Sequence, residues 1–241
     1  MERRDFLIGS SAAIMAGAKP KLFLTERCSG PALALSDESL KLTPPKSGAI
    51  PVAFLISPGI TVIDFTGPWE VFQDVFSIEG RTDPVFNLYT VAESFEPVTG
   101  SGGLQFAPNH TFVTAPQPKV VVIGAQGGKS QALFDWLKKV SESADVIMSV
   151  CTGAFVLARS GLIDGKMATT HHDFYDRFAK NFPKVELKRG LRFVEQKKFS
   201  SAGGLTSGID LALHVVERYF GREIAEKTAT YMEYQSKAWM V

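Results

Sequence analysis

Cysteine is scarce in this chain: Cys28 and Cys151 are the two among 241 residues. That scarcity excludes the disulfide framework of a small secreted scaffold. No apolar run reaches the roughly 18 residues that a membrane-spanning helix requires. A surplus of one charge is also missing. Lys and Arg number 26 against 25 Asp and Glu, a net of +1, and no basic stripe occurs, so nucleic acid is not an expected partner. The four histidines are scattered and show no metal-ligand spacing with cysteine, so a metal site is not expected. The glycine-rich stretch "GAQGGKS" (124–130) lacks phosphate-loop spacing, and no dinucleotide fingerprint occurs. Repeats and low-complexity tracts are missing as well. What remains is ordinary globular composition, 45% hydrophobic, with ample length for a substantial core and no convincing second domain.

The amino terminus differs from the rest. Arg3-Arg4 precedes Phe6-Leu7, and a short, weakly apolar segment runs to Ala18. This is the layout of a bacterial twin-arginine export signal, which implies the export machinery as a partner and a periplasmic or otherwise exported protein. The alternatives are an uncleaved anchor, a buried first helix or a tail. Ala16-Gly17-Ala18 and Ala32-Leu33-Ala34 both offer A-x-A cleavage sites, and the second lies in the better context. Residues 1–45 are therefore expected to be signal and linker, and 46–241 one domain. Cleavage after Ala34 would remove Cys28 and leave Cys151 without an internal partner.

Beyond Pro44-Pro45, apolar runs alternate with helical patterns. "IPVAFLIS" (50–57), 84–93, "PKVVVIGA" (118–125) and "ADVIMSV" (144–150) read as strands. Helices are expected over 66–76, with Thr66 as cap, Pro68 in the first turn and Phe76 on the apolar stripe. Others are expected over 130–143, 152–161, 173–182, 206–221 and at the carboxyl end. Gly161 reads as a left-handed C-cap. Residues 98–109 read as a hairpin, 166–172 as a strand or its end, and 191–204 as one or two strands. Fully apolar strands between helices of 10 to 15 residues indicate a mostly parallel α/β sheet with helices on both faces. Ligand sites in such sheets form beyond the carboxyl ends of the strands.

Several candidate residues lie there. Cys151 stands where a strand turns into a helix. The helix dipole and free N–H groups there favour a thiolate, and a tight turn would hold the sulfur up, as in a nucleophile elbow. A buried, inert thiol is the alternative. Asp64 is one acid inside the apolar "GITVIDFTGP", either a helix cap or a carboxyl with a raised pKa beside Cys151. Glu70 is a weaker candidate for that role. The N–H groups of Gln126-Gly127-Gly128, with that of Thr152, form a possible oxyanion pocket. A Cys–His pair would need His171, His172 or His214 near the thiol; His214 fits a core or rim position on its helix better.

The blocks "FLISPGITVIDFTGPWEVF", "SVCTGAFVLARSGLIDGKMATTHH" and "AGGLTSGIDLALHVVERYFG" resemble the DJ-1/PfpI superfamily over nearly all of 50–235, nearest to its isonitrile hydratase branch and to the similar domains of some transcription activators. The resemblance implies a flavodoxin-like three-layer sandwich, a homodimer, a cysteine on a strained elbow and no cofactor. It makes Cys151 the match of the nucleophile, Asp64 the match of the hydratase acid, and Thr152 the match of the residue that follows the hydratase cysteine. The protease-like branch has histidine at that last position, which disfavours a Cys–His peptidase. Gly204, in the third block, is counted with the pocket residues. Two positions depart from the hydratase pattern: Ala125-Gln126-Gly127-Gly128 replaces a Pro-Gly-Gly turn, and His172 replaces a frequent tryptophan. The implied reaction is hydration of an isonitrile to an N-substituted formamide. The alternatives are glyoxalase- or deglycase-like chemistry on small dicarbonyls, or a non-catalytic ligand-binding or thiol-based redox-sensing domain.

Overall fold

Valine- and isoleucine-rich runs fill the middle of one sheet in the computed structural model, which describes residues 30–33, 40–75 and 84–241. The twin-arginine segment, Cys28 and Phe76 lie outside these residues. In chain order the elements are β1 (Ile50–Leu55), α1 (Val62–Gln73), β2 (Phe86–Ala92), β3 (Val98–Thr99), β4 (Gln105–Phe106), β5 (His110–Thr111), β6 (Val120–Ile123), α2 (Gln131–Ser141), β7 (Val146–Val150) and α3 (Gly153–Arg159). Then follow β8 (Met167–Ala168), α4 (Tyr175–Asn181), β9 (Glu186–Leu187), β10 (Phe193–Gln196), β11 (Phe199–Ala202), α5 (Ser207–Phe220) and α6 (Arg222–Tyr231).

The main sheet has the order β10-β11-β7-β6-β1-β2-β5, parallel throughout except for the β10–β11 hairpin. Both faces are covered. Residues of α1, α5 and α6 pack on one face, and residues of α2, α3 and α4 on the other. Burial on both sides explains why β6 and β7 carry no outward polar alternation: every residue of each is buried. The expected mostly parallel three-layer sandwich is what forms. Val98–Thr99 pairs with Gln105–Phe106 as the expected hairpin, and Gly161 is left-handed at φ 78°. No helix among the described residues is long and apolar enough to cross a membrane.

Two expectations about the elements are corrected. The first helix begins at Val62, not near residue 66. Thr61 in extended conformation precedes it, Pro68 lies in its interior, and Thr66 Oγ1 donates to Val62 O (2.9 Å) instead of capping. Burial of Ile60 directly after the Pro58-Gly59 turn leaves no room for a longer loop. The stretch before residue 46 is also not mere linker where it is described. Leu33 N–H donates to Phe193 O (2.9 Å) and Glu195 N–H to Leu33 O (2.8 Å), so residues 30–33 extend the β10 edge. Leu40 is buried, its carbonyl accepts from Arg218 Nε (2.8 Å), and Leu42 N–H donates to Arg218 O (2.8 Å).

The chain order reverses at β1. From there β2 runs to one edge and β6, β7 and β11 to the other. The carboxyl ends of β1, β6 and β7 thus lie side by side at the switch point, where doubly wound sheets place their ligands.

Candidate active site

Cys151 directly follows β7 and has φ 58°, a left-handed conformation unusual for a residue with a side chain. Three contacts hold it there. Cys151 N–H donates to Ala202 O (3.2 Å), Thr170 Oγ1 donates to Cys151 O (2.9 Å), and Gly153 lets α3 approach β6 closely. A Cβ at Gly153 would lie 2.0 Å from Ile123 O, so only glycine fits.

Asp64 sits in the first turn of α1 and is fully buried. Its Oδ2 accepts from Ala125 N–H (2.9 Å), while Thr61 N–H donates to Ala125 O (2.8 Å), so the start of α1 and the end of β6 lock together. Gly124 makes room: a Cβ there would lie 2.9 Å from Asp64 Cβ. Oδ1 is buried with no conventional donor, and the Cys151 thiol and Leu205 N–H are the other groups that interact with the carboxylate. Asp64 and Cys151, 87 positions apart in sequence (151 − 64), therefore meet.

The electrostatics differ from the expectation of a thiolate. Burial, then the charge of Asp64, push the Cys151 thiol up to about 12, and the Thr152 and Leu205 N–H groups only partly oppose this. Burial likewise raises Asp64 to about 6 against the pull of Ala125 N–H, the thiol and Leu205 N–H. Removing water outweighs the start of the short helix α3. At neutral pH the pair is a thiol facing a carboxylate, with one proton between two groups.

The glycine-rich turn is placed differently from the oxyanion pocket expected of it. Gly127 N–H donates to Pro58 O (3.0 Å) and Gly128 N–H to Ser57 Oγ (2.9 Å), so neither is available to a substrate. Both line a cavity of about 250 Å³ with Ser57, Glu93 and Phe112, apart from Cys151 and Thr152. Gln126 instead borders a second cavity of about 200 Å³ with Thr152, Lys129, Phe155, Arg159, Phe174 and Arg177, and its Nε2 donates to Leu55 O (3.0 Å). The N–H groups that face the sulfur belong to Thr152 and Leu205. Leu205 was not among the sequence candidates. Its φ of 51° turns the amide inward, and nothing in a leucine signals that conformation.

No histidine among the described residues hydrogen-bonds the thiol. His171 packs against Gly204, where a Cβ would lie 2.4 Å from its Cδ2, and stacks on His172 with centroids 4.3 Å apart. Burial and then His172 lower the His171 pKa. Donor atoms of His171, His172 and Asp173 lie within 4.8 Å of one another, the one grouping among the described residues able to hold a cation. These donors already engage each other: Asp173 N–H donates to His171 Nδ1 (3.3 Å) and His172 Nε2 lies 3.2 Å from Asp173 Oδ1. His214 is in the core, paired with Glu195, and Glu70 is exposed on α1.

A doubly wound sheet with a cysteine on a left-handed strand-to-helix elbow, faced by a buried acid, defines a class of α/β protein. The DJ-1/PfpI family model matches residues 51–218, and the chain belongs to that family. It is 30% identical to isonitrile hydratase of Pseudomonas putida over 191 residues, 77% of this chain and 79% of that enzyme. It is 26% identical to the HTH-type transcriptional regulator GbdR of Pseudomonas aeruginosa, of whose length it spans 50%. Among solved structures, a THiJ/PfpI family protein from Pseudomonas syringae superposes with TM-score 0.67 at 28% identity, covering 85% of this chain and 83% of that one.

Proposed function

We propose that the chain is a cysteine-dependent, cofactor-free enzyme that hydrates an isonitrile to an N-substituted formamide. The observation that carries this reading is the buried Asp64 carboxylate facing the Cys151 thiol on its elbow. The similarity to isonitrile hydratase supports it.

The raised pKa values suit proton transfer more than a standing thiolate. As sulfur attacks the terminal isonitrile carbon, the S–H proton passes through Asp64 to that same carbon, and an S–C bond and a C–H bond form. The product is a thioimidate on Cys151. Water then adds to the imidate carbon, nitrogen gains a proton, and the C–S bond breaks. Sulfur recovers a proton through Asp64 as the formamide leaves. The sum is isonitrile plus water giving formamide. Asp64 near 6 can both accept and return a proton at neutral pH. The N–H groups of Thr152 and Leu205 are placed to steady charge on sulfur.

The test is to mix the protein with an alkyl isonitrile and follow formamide formation by NMR. Cys151→Ala should abolish turnover and Asp64→Asn should lower kcat by about 100-fold or more, the range of a general acid–base group. Equal rates for wild type and Cys151→Ala would end this reading. One observation favours a second reading, a ligand-binding domain without catalysis: the chain matches half the length of transcriptional regulators. Binding without turnover across isonitriles and small dicarbonyls would favour it.

A further inference from the structure

The cavity of about 200 Å³ beside Thr152 is lined by three cations from three places in the chain. Lys129 comes from the loop after β6, Arg159 from the last residue of α3, and Arg177 from α4. No acidic side chain lines it. Four exposed cations elsewhere are matched: Lys119 with Asp145 (3.2 Å), Lys184 with Asp164 (3.1 Å), Lys227 with Glu223 (2.8 Å) and Arg189 with Asp176 (2.6 Å). Asp176, the immediate neighbour of Arg177, is thus held by another arginine. Among the described residues no carboxylate pairs with Lys129, Arg159 or Arg177. Two guanidinium groups facing one cavity repel each other unless an anion joins them. Burial and then the charge of Arg177 lower the Arg159 pKa, which agrees with that repulsion. Arg177 is further held over the Phe155 ring (5.8 Å to the centroid), so its position does not depend on a ligand. Phe155 and Phe174 supply apolar wall, and Gln126 and Thr152 complete the lining.

We propose that this cavity is an anion site, in which Arg159 and Arg177 clamp the carboxylate or phosphate of a small molecule and Lys129 adds a third charge. Guanidinium groups suit such oxyanions because their paired N–H groups match two oxygens at once. Thr152 belongs to the cavity and is the chain neighbour of Cys151, so an anion held here lies next to the elbow. The substrate or ligand class is therefore a small molecule with one anionic end.

Binding to the full-length protein is measured by calorimetry at constant ionic strength, with acetate and inorganic phosphate as separate probes. Wild type should bind at least one of them, the preferred probe telling carboxylate from phosphate. Arg159→Gln/Arg177→Gln should bind about tenfold more weakly or worse, and Arg159→Lys/Arg177→Lys should recover part of the loss. No binding by wild type at millimolar probe, or equal binding by wild type and the Gln variant, would overturn the site. The kinetic arm alone rests on the isonitrile reading. It compares isocyanoacetate with its methyl ester, and the charged-to-neutral preference in kcat/KM should fall about tenfold in the Gln variant. If neither isonitrile is turned over, the proposed reaction fails while the binding arm still decides the anion site.

Discussion

At Asp64, the burial that suits a proton carrier also destabilises the fold. Its pKa is near 6 when folded, against 3.8 as the unperturbed value. Below 3.8 the group is protonated in both states. As pH rises from there to about 6, the unfolded chain releases the proton while the folded one keeps it, so stability falls, and above 6 the loss is constant. The difference corresponds to about 3 kcal/mol at most. Asp64→Asn should therefore raise stability at neutral pH by about 1–3 kcal/mol in urea unfolding while lowering turnover. The same variant removes a charge that pushes the thiol up, so alkylation of Cys151 by iodoacetamide at fixed pH should become faster. Slower alkylation together with unchanged stability would contradict this electrostatic account. Gly153→Ala places a Cβ 2.0 Å from a backbone oxygen, and chemical unfolding should show a loss of about 3 kcal/mol or more.

At the scale of elements, β10 and α5 are joined by a buried charge network. Glu195, fully buried, pairs with Arg218 and His214, and Arg218 in turn holds the Leu40 carbonyl. Burial pulls His214 down, but the hydrogen bonds and charges of Glu195 and Glu217 outweigh it and leave its pKa raised above 6.5. A raised histidine contributes stability that is complete below 6.5 and lost as pH passes its folded pKa. Glu195→Gln leaves Arg218 buried without a full counter-charge and should cost about 3–5 kcal/mol in urea unfolding. The early segment depends on the same elements. Deleting residues 1–45 removes the main-chain bonds of 30–33 and the burial of Leu40, and should lower stability by about 2–4 kcal/mol. If the chain is exported through its twin-arginine segment, which we propose from residues 3–18, the pairing of Leu33 with β10 favours cleavage after Ala18 over cleavage after Ala34. Mass spectrometry of the exported protein should then find residues 30–33 retained.

At the scale of the molecule, a homodimer is the proposal that follows from the family resemblance. Phe95, Leu104, Val113, Leu205 and Tyr231 are all exposed, Val113 at 92%, and the proposal expects a second copy to bury some of them. Sedimentation should give twice the 26.3 kDa of one chain, and a monomer at micromolar concentration would count against it.

Much of the architecture was legible in the linear pattern because burial on both sheet faces leaves a local mark. Val120–Ile123 and Val146–Val150 have no polar face to hide, and glycine at 161 marks the end of a helix. Cys151 and Asp64 were legible as odd residues in apolar surroundings. The rest depended on contacts that local pattern does not encode. Gly127 and Gly128 look like oxyanion donors until Pro58 and Ser57 take their N–H groups. Leu205 carries no local sign that its amide turns inward, and Thr61-Val62 begin a helix because Ile60 and Ala125 fix that corner. Residue type and spacing determined the sheet and its helices, and marked out Cys151 and Asp64, which the fold brings together. Tertiary packing alone decided that the thiol stays protonated, that its partner is a buried carboxyl with a raised pKa, and that three cations without a carboxylate partner line one cavity beside Thr152. Desolvation and charge depend on what lies across the fold, not on what lies next in the chain.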